Sequence, residues 1–149
     1  MKKIAGLFSL LTLWVLTVGA QSAQADDILG KWLNADKDAH IEVYKQGGKY
    51  FGKIVWLKEP IDPDTGKPKR DKENPDARLR SRPTLGLVIM ENFVFSDGEW
   101  ESGSIYDPKT GNTYKCYMNL KNSNTLFVRG YIGKSWMGLG RTTEWTRVG

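Results

Sequence analysis

The chain has 149 residues, with 22 Lys+Arg against 17 Asp+Glu, one histidine and one cysteine. A lone cysteine excludes an intrachain disulfide, and one His with one Cys supplies too few soft ligands for a zinc or copper site. The basic residues are scattered among acids along the whole chain rather than gathered on one element, which argues against nucleic acid as a partner.

Lys2 and Lys3 open the chain, Ile4 to Val18 form an apolar run broken only by small or hydroxyl residues, and Ala23-Gln24-Ala25 precedes the polar pair Asp26-Asp27. This order predicts a cleavable secretory signal peptide over residues 1–25. The apolar run is shorter than the roughly 20 residues a membrane span needs, so no stable membrane insertion is expected after cleavage. No cysteine near the cleavage point offers a lipid attachment site. The expected product is periplasmic or secreted and comprises residues 26–149, which is 124 residues with a net charge of +3 once Lys2 and Lys3 are removed. That length suits one domain with a real core.

After Asp27 the chain shows short aromatic and β-branched stretches punctuated by Gly, Asn, Asp and Pro, with no segment of helical period. The pattern predicts strands at Ile28 to Asn34, His40 to Lys45, Lys49 to Leu57, Leu87 to Phe95, Glu99 to Tyr106, Thr113 to Leu120, Thr125 to Ile132 and Arg141 to Arg147. The turns Gln46-Gly47-Gly48, Ser96-Asp97-Gly98, Asp107-Pro108-Lys109-Thr110-Gly111 and Lys121-Asn122-Ser123-Asn124 suit antiparallel hairpins. Alternation places Ile41 and Val43, then Tyr114, Cys116, Met118 and Leu120, then Leu126, Val128 and Ile132 on one buried face. An antiparallel meander of eight strands hides its edges by closing, so a small up-and-down barrel is expected. One segment, Lys58 to Pro83, breaks the pattern with five of the six prolines and mixed charges. A loop this long is commonly functional or mobile. Its Asp62-Pro63-Asp64-Thr65-Gly66 echoes the turn that begins at Asp107, as shared turn chemistry rather than duplication.

Catalytic and metal constellations are thin. His40 has no Ser or Cys placed beside it, and Cys116 falls in the apolar phase of its strand, where a thiol behaves as a small hydrophobe. Asp62, Asp64 and Glu73 occupy the first, third and twelfth positions of a calcium-loop frame, but Gly66 and Lys67 break it at the fifth and sixth. No enzyme activity, cofactor or metal is therefore expected. Arg78, Arg80 and Arg82 would point one way in an extended segment and grip an anionic group, although Asp71, Glu73 and Asp76 stand ready to neutralise them.

Across residues 26–149 the chain resembles one family. The residues that carry the resemblance are Ile28-Leu29-Gly30-Lys31-Trp32, Gly52-Lys53-Ile54-Val55-Trp56-Leu57, Asp62-Pro63-Asp64-Thr65-Gly66, Arg80-Ser81-Arg82-Pro83 with Gly86, Tyr106-Asp107-Pro108, Val128-Arg129-Gly130-Tyr131-Ile132-Gly133 and Trp145-Thr146-Arg147. They resemble the uncharacterised exported bacterial proteins grouped as domain of unknown function 2147 (DUF2147). The resemblance implies a lipocalin-like, eight-stranded barrel able to enclose a small apolar molecule, and no established activity. Gly30-Lys31-Trp32 is also similar to the G-x-W near the start of lipocalins, whose Trp closes the barrel base under an Arg from the last strand. Arg147 and Arg141 are the candidates for that Arg, in a structural role.

Five tryptophans and six tyrosines remain after residue 25. Such rings either fill a small barrel or line a pocket for a lipophilic ligand. Alternation puts Tyr50, Ile54 and Trp56 on one face of the third strand, and Trp100 and Tyr106 on one face of the fifth. The leading expectation is an exported protein binding a small hydrophobic or amphipathic molecule, with Tyr50, Trp56, Tyr106, Met118 and Arg129 lining the cavity. Arg129, if inward, would need a partner such as a ligand carboxylate. The competing expectation is a filled barrel that meets a protein or an anionic envelope component through the loop Lys58 to Pro83.

Overall fold

A computed structural model describes Trp14 and residues 23–149, so nearly all of the predicted signal peptide lies outside the described residues. Eight antiparallel strands close on themselves in sequence order. They are β1 (Gly30–Leu33), β2 (Ala39–Gln46), β3 (Lys49–Leu57), β4 (Val88–Ser96), β5 (Glu99–Asp107), β6 (Asn112–Asn122), β7 (Thr125–Tyr131) and β8 (Gly140–Arg147). Each of the eight predicted strands is present. β1 is shorter than predicted because Ala25–Ile28 coils into a single 3₁₀ turn ahead of it.

Hairpins at one end, the base, are tight. Asp97 and Gly98 both take positive φ, 51° and 82°, as a two-residue turn matched to strand twist requires. The longer connections, including Lys58 to Pro83, gather at the opposite end, the mouth. Both Asp-Pro-x-Thr-Gly turns are built alike: Gly66 N–H donates to Asp62 O and Gly111 N–H to Asp107 O, each at 2.8 Å.

The base half is packed solid by Trp32, Tyr50, Met90, Phe93, Trp100, Met118 and Leu126, none more than 2% exposed. Gly103 makes room for this filling, because a Cβ there would lie 2.5 Å from the Phe93 ring. Cys116 is fully buried in the same phase, and burial pushes its thiol up to about 12.

The 3₁₀ turn plugs the base from below. Trp32 Nε1 donates to Ile28 O at 2.9 Å, Trp100 Nε1 to Ala25 O at 3.0 Å, and Tyr50 Oη to Asp26 Oδ1 at 2.5 Å. The first bond satisfies an indole group that burial would otherwise leave unpaired; the second is made by Ala25, the last residue of the predicted signal peptide, and belongs to the uncleaved chain. The barrel closes where Trp32 pairs with Arg147 and Leu33 with Thr146. There the Arg147 guanidinium lies 4.2 Å from the Trp32 ring centroid and donates to Leu29 O at 2.8 Å, Asp27 O at 2.6 Å and Ser123 O at 2.7 Å. Gly30 leaves the space this requires, since a Cβ on it would sit 3.1 Å from Arg147 Nη1.

Replacing Arg147 with Ala removes three charge-assisted bonds and uncovers Trp32. The expected loss is about 2 kcal/mol, read as a lower urea midpoint at unchanged slope. Arg147→Lys should recover only part of it, because an ammonium cannot fork between three carbonyls.

Candidate functional site

Above the packed base the barrel is hollow. Inward residues of the mouth half enclose a cavity of about 730 Å³, open between the long connections. That volume lies within the range of small-molecule sites. Its wall is mainly apolar: Ala39 and Ile41 from β2, Ile54 and Leu57 from β3, Ile89 from β4, Ile105 from β5, Tyr114 from β6, and Thr143 and Trp145 from β8. The rim is charged and comes from the β1–β2 connection, the long loop, the Asp107–Lys109 turn and Arg141.

Much of the rim is tied down by ion pairs. Lys109 Nζ sits between Asp36 at 3.1 Å and Asp38 at 2.6 Å, joining two connections across the mouth. Lys72 reaches Asp62 at 3.4 Å and Asp64 at 3.9 Å, so two carboxylates of the calcium-like frame face a lysine. The strongest anchor is Asp71, a fully buried residue of the long loop itself. It accepts from Tyr106 Oη at 2.5 Å, Asn74 Nδ2 at 2.8 Å and Arg82 Nε at 2.8 Å. Burial alone would raise the Asp71 pKa, but these three donors outweigh it and hold the group below its ordinary value. Burial and the same carboxylate push Tyr106 up to about 12. The loop is thereby fastened to β5.

Of the five expected ligand-lining residues, only Tyr106 borders the cavity. Trp56 is 40% exposed on the outer wall, its ring 4.3 Å from that of His40. The cause is a bulge: His40 pairs with Trp56 and Ile41 with Ile54, which leaves Val55 extra and reverses the phase beyond it. A second bulge, with Ser102 at φ 62°, separates Trp100 from Tyr106 and turns Tyr106 toward the long loop. Tyr50 and Met118 do face inward, but within the packed base. Arg129 points outward and donates to Thr142 Oγ1 at 3.1 Å, so it is not a buried charge. Ile132, expected inside, lies past the end of β7 and is 62% exposed.

The arginine trio meets its neighbours, not an open face. Ala77–Leu79 is a 3₁₀ turn rather than an extended segment. Arg78 forks onto Asp76 at 3.0 and 2.8 Å, Arg80 Nε donates to Asn74 O at 2.7 Å, and Arg82 holds Asp71. The sequence reading missed Ile41, Ile54, Ile89, Ile105, Tyr114 and Trp145 as wall residues, and Arg141 as part of the rim. The inward phase of Ile41, Ile54 and Tyr114 was legible, whereas that of Ile105 was hidden by the bulge before it. What pointed elsewhere was the weight given to large aromatics over position along each strand.

Asp71→Asn should release the long loop, giving faster proteolysis between Lys58 and Pro83 and about 2 kcal/mol lower stability. Because its pKa is depressed, Asp71 contributes stability above its ordinary value of 3.8 that is lost as pH falls through the depressed one. The Asn variant should show a shallower loss in that acid window. It should also bring the Tyr106 titration from about 12 back toward 10, visible in the ultraviolet.

Among solved structures, protein HP1028 from Helicobacter pylori, described as belonging to the lipocalin family, is similar to this chain. The two share 26% sequence identity with a TM-score of 0.68, over 81% of this chain and 82% of that one. No curated protein matches. A family model described as an uncharacterized protein conserved in bacteria (DUF2147) matches residues 30–147, and the chain, a lipocalin-like closed barrel, belongs to that family.

Proposed function

We propose that the protein is exported to the periplasm or beyond and there binds one small hydrophobic or amphipathic molecule in the open half of its barrel. The observation that carries this reading is the cavity of about 730 Å³, with an apolar wall and a mouth of fixed charges. Such a wall stabilises buried hydrocarbon at about 25 cal/mol per Å². A charged mouth leaves the polar end of an amphiphile hydrated. The lipocalin kinship of HP1028 supports the reading, since that fold is generally associated with small hydrophobic ligands. Export rests on the order of residues 1–25, with its basic start, apolar run and A-x-A triplet. Neither a cofactor nor a catalytic step enters the proposal.

The alternative, docking of an envelope partner on the loop Lys58 to Pro83, has less support. The arginines that would meet an anionic surface are already engaged by Asp71, Asp76 and the Asn74 carbonyl. The loop's own contacts bind it to the barrel rim.

The test uses the full chain expressed with its own leader. The exported product should have the mass of residues 26–149, and a product that keeps residues 1–25 would contradict the export reading. Its organic extract, compared with a mock preparation by mass spectrometry, should contain an amphiphile at close to one per barrel. A clean extract, together with unchanged tryptophan fluorescence on adding dodecanoic acid, would overturn the binding reading. Trp145 is the tryptophan that lines the cavity and should report occupancy.

A further inference from the structure

The inner face of β8 carries two arginines in one phase, Arg141 at the mouth and Arg147 at the base, with Thr143 and Trp145 between them. Six residues of extended chain place them roughly 20 Å apart. Arg147 is fully engaged, with every guanidinium nitrogen donating to a backbone carbonyl. Arg141 lines the cavity, and among the described residues it has neither an ion-pair partner nor a side-chain hydrogen bond.

Several charged neighbours at the mouth are already engaged. Lys109 and Lys72 are each held between two carboxylates. Asp107 is occupied by its own turn, accepting from Lys109 N–H and Thr110 Oγ1, both at 3.0 Å. Lys58, Lys69 and Arg70 also border the mouth without an ion pair among the described residues, but they sit on the long loop and not on a barrel strand that leads down to the apolar wall. Arg141 is thus an exposed, strand-borne cation at the rim of the cavity, on the inward phase of β8 with its planar donors free, above a wall of Ile105, Tyr114 and Trp145.

We propose that Arg141 recognises the head of the ligand, and that the ligand is an amphiphile whose head is an oxyanion, a carboxylate or a phosphate. The guanidinium fork takes two oxygens of such a head in parallel, while the tail descends toward Trp145. The inference rests on the ligand-binding reading above and names the chemical class that reading leaves open. It also places the anion-binding arginine on β8 at the mouth, where Arg129 cannot serve because it faces out.

Four probes of one chain length separate the two readings: dodecanoic acid, dodecyl phosphate, dodecanol and dodecylamine, titrated below their aggregation limits into the delipidated exported protein. Wild type should bind the acid or the phosphate about tenfold more tightly than the alcohol. Whichever of the two anions binds better distinguishes a fatty-acid source from a phospholipid one. Arg141→Gln should abolish the preference by weakening anion binding about tenfold while changing dodecanol affinity far less, with Arg141→Lys intermediate. The side chain makes no protein contact that folding needs, and matching thermal midpoints would check this. Equal binding of dodecanol and dodecanoate by wild type overturns the anion proposal while sparing the cavity. So does tighter binding of dodecylamine, or a preference that survives in Arg141→Gln. Binding of none of the four overturns both.

Discussion

Closure of the barrel rests on the contact of Arg147 with Trp32. β1 contributes only four residues and meets β8 through two residue pairs, so the ladder there is too short to hold the seam by backbone bonds alone. The guanidinium extends the seam by binding carbonyls on both sides of it, from Asp27 and Leu29 and from Ser123. It also lies on the indole face in a cation–π contact with the buried Trp32. Closing the seam removes the two edges an open eight-stranded sheet would present to other chains.

The division of the barrel follows from that seal. At the base, large rings interlock where strand glycines make room for them, and this packing supplies most of the apolar burial. Toward the mouth, medium aliphatic residues line the wall and leave space between them. The long loop would have little reason to stay over the mouth were it not for Asp71, whose buried carboxylate draws a tyrosine, an asparagine and an arginine onto one point. The packed core and the cavity therefore lie in different halves of one molecule.

The fold was legible because alternation, turn chemistry and strand number all agree, and eight short strands without helical period have few ways to bury their apolar face. The wall of the site was less so. Alternation carried from Ile54 to Trp56, or from Trp100 to Tyr106, crosses a bulge, and one extra residue inverts every side chain beyond it. Nothing local in Val55 or Ser102 announces a bulge. The position of Arg129 had a different origin. Its neighbours Val128 and Gly130 face inward, so strict alternation already placed it outside. The covering of Trp32 by an arginine was expected only from the likeness of Gly30-Lys31-Trp32 to the lipocalin G-x-W, which left Arg147 and Arg141 both open; the structure places Arg147 there, in space that Gly30 leaves.

The plugged base also governs traffic. With Ile28, Trp32 and Trp100 sealing one end, nothing can pass through the barrel from end to end. A ligand of the kind proposed would have to leave by the opening through which it came, reversing its own path past the fastened loop and the ion pairs of Lys109. Such a vessel cannot work as a conduit. On the proposed binding reading it would discharge by competition or by a change at its lip, with the rate of exchange set by the rim and the strength of holding by the wall.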